Sequence, residues 1–225
     1  VGLSWSAEEL AAGDRSFEHE RFMPMLSPRF DAALSYAARL HRGQIRKATT
    51  IPYIAHLLST AAIALEHGAT EEEAIGALLH DAIEDQGRDG ATELEIRQQF
   101  GDRVFEIVLG CTDAEGGAGR EKPPWRARKE AYVHHIGLAD ASTRLVSASD
   151  KLHNARAILA DLRTHGADLW PRFTGGEEGS LWYYRALVTA FRNAGGNEAM
   201  VRLVAELDRT VSEIERLARV TGSTS

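Results

Sequence analysis

From Pro28 onward the apolar positions recur every three to four residues and almost nowhere every two. That is the period of a helix with one buried face, not of a strand. The segment FDAALSYAARLHRG sets Ala33, Tyr36, Ala37 and Leu40 on one face. Ser27 and Pro28 open it as a cap followed by proline at the first helical position, and Gly43 closes it. A loop, QIRKATTIP, leads into a helix through HLLSTAAIALEHG. Thr70 with Glu73 forms a capping box for a helix that carries LLHDAIED and stops at Gly87. Two shorter helices are predicted through ELEIRQQF and DRVFEIVLGC, then a loop over residues 113–124. WRARKEAYVHHIGLAD restarts the helical pattern, and ASTRLVSASDKLHNARAILADLRTHG makes a long helix. PRFTGGEEGS reads as a second loop, followed by SLWYYRALVTAFRNAG and a last helix from about Asn197 to Val220. The pattern predicts an all-α fold, a single helical bundle of about eight to ten helices. Residues 1–27 read as an arm, 28–195 as the main domain, and 196–225 as a helix packed on it or at an oligomer interface.

A chain of 225 residues can build a full apolar core without staples. Its one cysteine, Cys111, excludes an internal disulfide framework. No apolar run approaches the length of a membrane span, and the start (VGLSWSAEELAAGD) lacks a basic region followed by an apolar one. The expectation is a cytoplasmic protein without membrane contact. A net charge of −7 argues against a nucleic-acid binder. Two basic groups stand out against that charge: Arg42, Arg46 and Lys47, then Arg120, Lys122, Arg126, Arg128 and Lys129. Basic patches on an acidic protein suit a small phosphate-rich ligand better than a long polyanion.

The stretch LLHDAIEDQG, residues 78–87, carries the chemistry. It sets His80, Asp81, Glu84 and Asp85 in a helix that buries Leu78, Leu79 and Ile83, and unpaired buried charge is costly. A cation removes that cost. Four residues look like metal ligands: His56, His80, Asp81 and Asp150. Two imidazoles and two carboxylates suit Mn, Fe, Co or Zn. Oxygen-rich ligation favours Mn2+, and no cysteine pair supports structural Zn. Each part alone is weak, since a lone buried His commonly satisfies a carbonyl and a lone buried Asp commonly pairs with an arginine. The set is far more specific, because it draws on three separate helices.

The segments YAARLHRGQIRKATTIPYIAH, ALLHDAIEDQ, FGDRVFEIVLGCTD and SASDKLHNARAIL together resemble the HD-domain metal phosphohydrolases over roughly residues 30 to 195. Within them the chain resembles the alarmone hydrolase branch: the hydrolase half of the RelA/SpoT proteins and the small, metazoan SpoT homologue-like hydrolases. The resemblance implies a single HD-domain bundle with one Mn2+, or another divalent transition metal, held by His56, His80, Asp81 and Asp150. It assigns Glu84 and Asp85 to activating the attacking water. It sets Arg46 and Lys47 against the guanine base and nearby substrate groups, and Asn154 toward the sugar or a phosphate. The implied reaction removes the 3′-pyrophosphate of (p)ppGpp, giving GDP or GTP and pyrophosphate.

Elementary chemistry agrees with those roles. Glu84 follows His80 by four residues and Asp85 follows Asp81 by four, so each lies one turn along the ligand's helical face. A carboxylate there accepts a water proton without being a ligand. Lys122 and Arg128 flank the 113–124 loop and are candidates for gripping phosphate, with the loop as a lid. Tyr183 is a candidate phosphate donor, although aromatics at helical spacing are more often core. His134 and His135 read as structural, and His41 and His153 are undecided between a supporting role and none.

The chain departs from the family at Ser147, where the RelA/SpoT hydrolases carry lysine; the change removes a positive charge near the substrate. The ATTI loop is also about one residue longer than usual. Nothing after residue 195 resembles a synthetase or regulatory domain, so the expectation is a stand-alone hydrolase. The expected partner is a small nucleotide, with no nucleic acid and with room for a homodimer. Two alternatives remain open: an HD phosphohydrolase for another nucleotide (pppApp, NADPH or a nucleoside phosphate), and a nucleotide-sensing module with weak turnover.

Overall fold

The computed structural model describes residues 26–87, 90–112 and 123–222. Among them the chain is all-α, and a lone antiparallel bridge between Ile45 and Pro52 is the only β pairing. The helices are α1 (Pro28–Leu40), α2 (Ile54–Glu66), α3 (Glu71–Leu79), α4 (Ala82–Gln86), α5 (Ala91–Cys111), α6 (Trp125–Leu138), α7 (Ala141–His165), α8 (Gly176–Ala194) and α9 (Glu198–Gly222). A 3-10 segment, Gly166–Arg172, joins α7 to α8. The arm over residues 1–25 and most of the 113–124 loop, Lys122 included, lie outside the described residues.

Local chemistry starts these helices where the sequence predicts. Ser27 Oγ accepts from the Arg29 amide at 3.2 Å, ahead of Pro28 at the first position of α1. Thr70 and Glu73 form the reciprocal capping box of α3, with bonds of 3.3 and 2.7 Å. Asp140 caps α7 by accepting from the amides of Ser142 and Thr143 at 2.9 and 3.1 Å.

Three elements differ from the expected ones. The helix predicted through LLHDAIED is two helices, because Asp81 leaves helical geometry at φ −97°, ψ 0° between α3 and α4. That is a sparsely populated region where active-site residues recur. The two short helices predicted through ELEIRQQF and DRVFEIVLGC are halves of α5, kinked at Gly101, whose φ of +83° favours glycine. The second predicted loop is shorter than PRFTGGEEGS: the 3-10 turn runs through Arg172, and α8 already starts at Gly176. Gly175 lies so close to the Trp125 ring that a Cβ would meet it at 2.5 Å. Gly175 and Gly179 thus make room for the Trp125 ring, while Gly176 takes a φ of +59° with open space beside it.

The core forms around α7, which touches α2, α3, α5 and α9. Leu57, Ile75, Leu78, Leu79, Ile107 and Leu152 are fully buried among these helices. On α9, Leu203, Leu207, Val211, Ile214 and Ala218 recur at helical spacing and are buried against α7 and α8. The apolar stripe of the last helix is thus covered by α7 and α8. What the bundle achieves for the site is convergence: α2, the α3–α4 junction and the middle of α7 meet at one point.

Candidate metal centre

His56 stands in the first turn of α2, His80 and Asp81 at the α3–α4 break, and Asp150 in the middle of α7. Their polar atoms converge. His56 Nε2 lies 3.2 Å from His80 Nε2, 3.4 Å from Asp81 Oδ2 and 3.3 Å from Asp150 Oδ1. His80 Nε2 lies 3.0 Å from Asp81 Oδ2 and 3.7 Å from Asp150 Oδ1. Ligands held about 2.1 Å from one ion are spaced about 3.0 Å apart at right angles and about 3.4 Å at tetrahedral angles. Both imidazoles and Asp150 are buried, and Asp81 is partly so.

Tautomers sharpen the fit. His80 Nδ1 faces the Ala77 carbonyl at 2.9 Å, so it must donate, and in the neutral ring that a metal requires the Nε2 lone pair then points at two carboxylates. Arg46 donates to His153 Nδ1 at 3.1 Å, which makes that nitrogen an acceptor. Its 2.8 Å contact with His56 Nδ1 is therefore donated by His56, and again Nε2 is left as a lone pair aimed inward. Burial, with His56 and Arg46 nearby, lowers the His153 pKa to about 4, in keeping with a neutral ring. Two imidazole lone pairs and two carboxylate oxygens facing one another make a donor set that a divalent cation can take. His56, His80 and Asp81 can form a metal site, and Asp150 Oδ1 closes on the same point.

The carboxylates are held ionised. Burial pushes both upward, but positive charge beside them, a proton held on His80 at Asp81 and Lys151 with that His80 proton at Asp150, holds them well below the usual carboxylate range; a bound cation would supply the same charge in place of the His80 proton. Asp150 is gripped on each oxygen, Oδ1 by Asn154 at 2.5 Å and Oδ2 by Lys151. Tyr53 donates to Asp81 Oδ2 at 2.6 Å. Burial and that carboxylate keep the Tyr53 hydroxyl protonated, far above an ordinary tyrosine.

A cavity of about 570 Å3 opens beside His56. Arg46, Lys47, Asn154 and Tyr183 of the expected binding residues line it, together with Lys129 and Lys151. Arg128 does not line it. Arg46 also donates to Asn154 Oδ1 at 2.9 Å, which joins the loop before α2 to α7. Ser147 turns away: its buried Oγ pairs with the Tyr132 hydroxyl at 2.8 Å in the α6–α7 interface. Ser147 does not line the cavity, whose cations are Arg46, Lys47, Lys129, Lys151 and Arg172.

Glu84 and Asp85 are exposed on α4 and do not line this cavity. The Asp85 amide still donates to the Asp81 carbonyl at 2.9 Å, so the one-turn relation to a ligand survives the helix break. Gln44 Nε2 donates to Asp85 Oδ2 at 2.7 Å, and His41 Nδ1 contacts Gln44 Oε1 at 2.7 Å. His41 also stacks on Tyr53, with ring centres 5.4 Å apart. His135 bonds the Gly110 carbonyl at 2.9 Å, away from the site. The sequence reading missed Tyr53, Lys151, Gln44 and the contact of His153 with His56. Lys151 had a signal in its adjacency to Asp150; the His153 contact, between residues 97 apart in sequence, had none.

Residues 33–176 match the HD domain family, and this span contains the whole ligand cluster. The chain belongs to the HD domain family. Within it the chain is similar to a guanosine-3′,5′-bis(diphosphate) 3′-pyrophosphohydrolase of Xenopus tropicalis, at 35% identity over 129 residues, which are 56% of this chain and 67% of that protein. A protein of the same name from Haemophilus influenzae is 34% identical over 124 residues, 52% of this chain. The matched segment is 17% of the Haemophilus protein, so this HD domain chain spans a minor part of such long relatives. The solved structure of a metazoan SpoT orthologue, described as hydrolysing ppGpp, superposes with a TM-score of 0.62 at 28% identity, over 81% of this chain and 95% of that one. Among the described residues no helix of this HD domain chain is long and apolar enough to cross a membrane.

Proposed function

We propose that this HD domain chain is a Mn2+-dependent phosphohydrolase that removes the 3′-pyrophosphate of (p)ppGpp, giving GDP or GTP and pyrophosphate. The observation that carries the reading is the convergence of His56, His80, Asp81 and Asp150 beside a cavity lined by lysines and Arg46. Relatives named for this reaction supply the substrate class.

A bound divalent cation lowers the pKa of water and offsets charge on the phosphate under attack. The chain's own residues do the rest. Lys47, Lys129 and Lys151 receive the phosphate oxygens, and Arg46 braces Asn154 against the sugar side. Asp85, held by Gln44, and Glu84 take the proton from the attacking water. The bond from phosphorus to the 3′-oxygen breaks, and that oxygen leaves with a proton as the nucleoside hydroxyl. The single buried cysteine and the nucleotide substrate fit a cytoplasmic setting.

The test is product analysis by ion exchange after incubation of the Mn2+-loaded protein with ppGpp, pppGpp, pppApp and NADPH. GDP or GTP plus pyrophosphate, abolished by Asp81→Ala, is the expected result. Turnover of pppApp or NADPH alone would move the substrate class. Binding of ppGpp without products would make the chain a sensor.

A further inference from the structure

The cavity beside the metal centre has one lining residue that its lysines do not explain. Asp161 lines the same space as Lys47, Lys129 and Lys151. A carboxylate repels phosphate oxygens, so the Asp161 end suits an uncharged part of a nucleotide. Asp161 stands eleven residues after Asp150 on α7. Eleven residues at 100° each return to the same helix face, about 16 Å farther along the axis. A nucleotide with its 3′-phosphate at the ligand cluster therefore extends its base toward Asp161. Ile158, Leu169 and Phe173 line the cavity too and offer apolar surface to the faces of a flat ring.

Asp161 has a companion of opposite character. Arg172, from the 3-10 segment, approaches Asp161 Oδ2 through its NH1 at 3.4 Å. That is longer than a tight charge-assisted bond, and the two side chains are 29% and 40% exposed for Arg172 and Asp161 respectively. Both keep bonding capacity toward the cavity.

We propose that Asp161, flanked by Arg172, reads the base of the bound nucleotide as guanine. The inference rests on the nucleotide hydrolase reading above and goes beyond it by naming the residue that selects the base. Guanine presents two adjacent donors, N1–H and the 2-amino group, beside the acceptor O6. A carboxylate accepts both donors at once, and a neighbouring guanidinium donates to O6. Adenine puts a lone pair and a C–H where the carboxylate needs donors, and an amino group where the guanidinium needs an acceptor. A buried polar group left facing the wrong edge rejects a ligand strongly.

The experiment measures equilibrium binding of ppGpp and ppApp to the full chain in chelator, where hydrolysis is stopped, and then turnover with Mn2+. The wild type is expected to prefer ppGpp at least about tenfold. Asp161→Asn is expected to lose about ten- to a hundredfold in ppGpp affinity, with ppApp unchanged or improved. Asp161→Glu keeps the carboxylate and the Arg172 pair and must retain a preference for ppGpp, which separates lost recognition from lost folding. An unaltered ppGpp-to-ppApp ratio in Asp161→Asn, no preference in the wild type, or equal loss of preference in Asp161→Glu overturns the inference. Selective binding of ppGpp without hydrolysis overturns the proposed reaction and leaves the base reading standing. Hydrolysis with unchanged selectivity in Asp161→Asn does the reverse.

Discussion

Gln44 holds Asp85: its Nε2 donates to Asp85 Oδ2 at 2.7 Å, while its Oε1 takes contacts from His41 and Gln86, each at 2.7 Å. The amide cannot turn over without losing all three. Asp85 is exposed, and Gln44 is the side chain that holds its carboxylate among the described residues. Gln44→Ala is expected to lower kcat at least about tenfold, through a misplaced proton acceptor, with KM changed less than about twofold. Steady-state kinetics on ppGpp check this. A rise in KM alone would make Gln44 a substrate-binding residue.

Lys151 ties the metal centre to stability. Its ammonium is buried, and burial pushes its pKa down, but Asp150 and the nearby tyrosines hold it well above the usual lysine value. Lys151→Met leaves Asp150 without that partner. In chelator the variant is expected to lose about 3–5 kcal/mol of stability, as broken buried pairs do. Saturating Mn2+ should recover part of the loss, since a cation neutralises the same carboxylate, and a ligand at a hundred times its Kd adds about 2.7 kcal/mol. Thermal melts with and without metal read both effects. Equal destabilisation in the two conditions would separate Lys151 from the centre.

Much of this was legible in the sequence, and the rest was not, for reasons of range. Ser27 and Thr70 act on amides two or three residues away, so those caps can be read directly. The cluster of candidate ligands could be picked out by residue type and spacing, and the bundle brings His56, His80, Asp81 and Asp150 together from three neighbouring helices. The break at Asp81 was hidden, because the local pattern through LLHDAIED is helical on either side and only the cluster shows why the backbone departs. His153 behind His56, Tyr53 on Asp81 and Trp125 on Gly175 are contacts between distant segments with no local signature. The Ser147 partner was hidden for the same reason: only the packing of α6 on α7 shows that it bonds Tyr132.

The α7 cap carries a pH signature. Burial raises the Asp140 carboxyl, but the Thr143 amide, Arg103 and the Thr143 hydroxyl outweigh it, so the folded-state pKa lies below the ordinary value. A depressed carboxylate contributes stability that is fully present above the unfolded pKa, about 3.9, and is lost as pH falls through the folded value. Asp140→Ala should therefore cost about 0.5–2 kcal/mol near pH 7. The difference from wild type should shrink as the pH is taken below the ordinary carboxylate range. Urea unfolding at a series of pH values measures it. A difference that stays constant with pH would mean that the charge contributes nothing to the cap.

A divalent cation is expected where His56 and His80 Nε2 face Asp81 and Asp150. The most direct measurement is ppGpp hydrolysis by metal-stripped protein titrated with Mn2+. Turnover absent in chelator and rising to a plateau at one Mn2+ per chain, with no rise in Asp81→Ala, is the predicted result. Full turnover in chelator, or a plateau unaffected by Asp81→Ala, would contradict it.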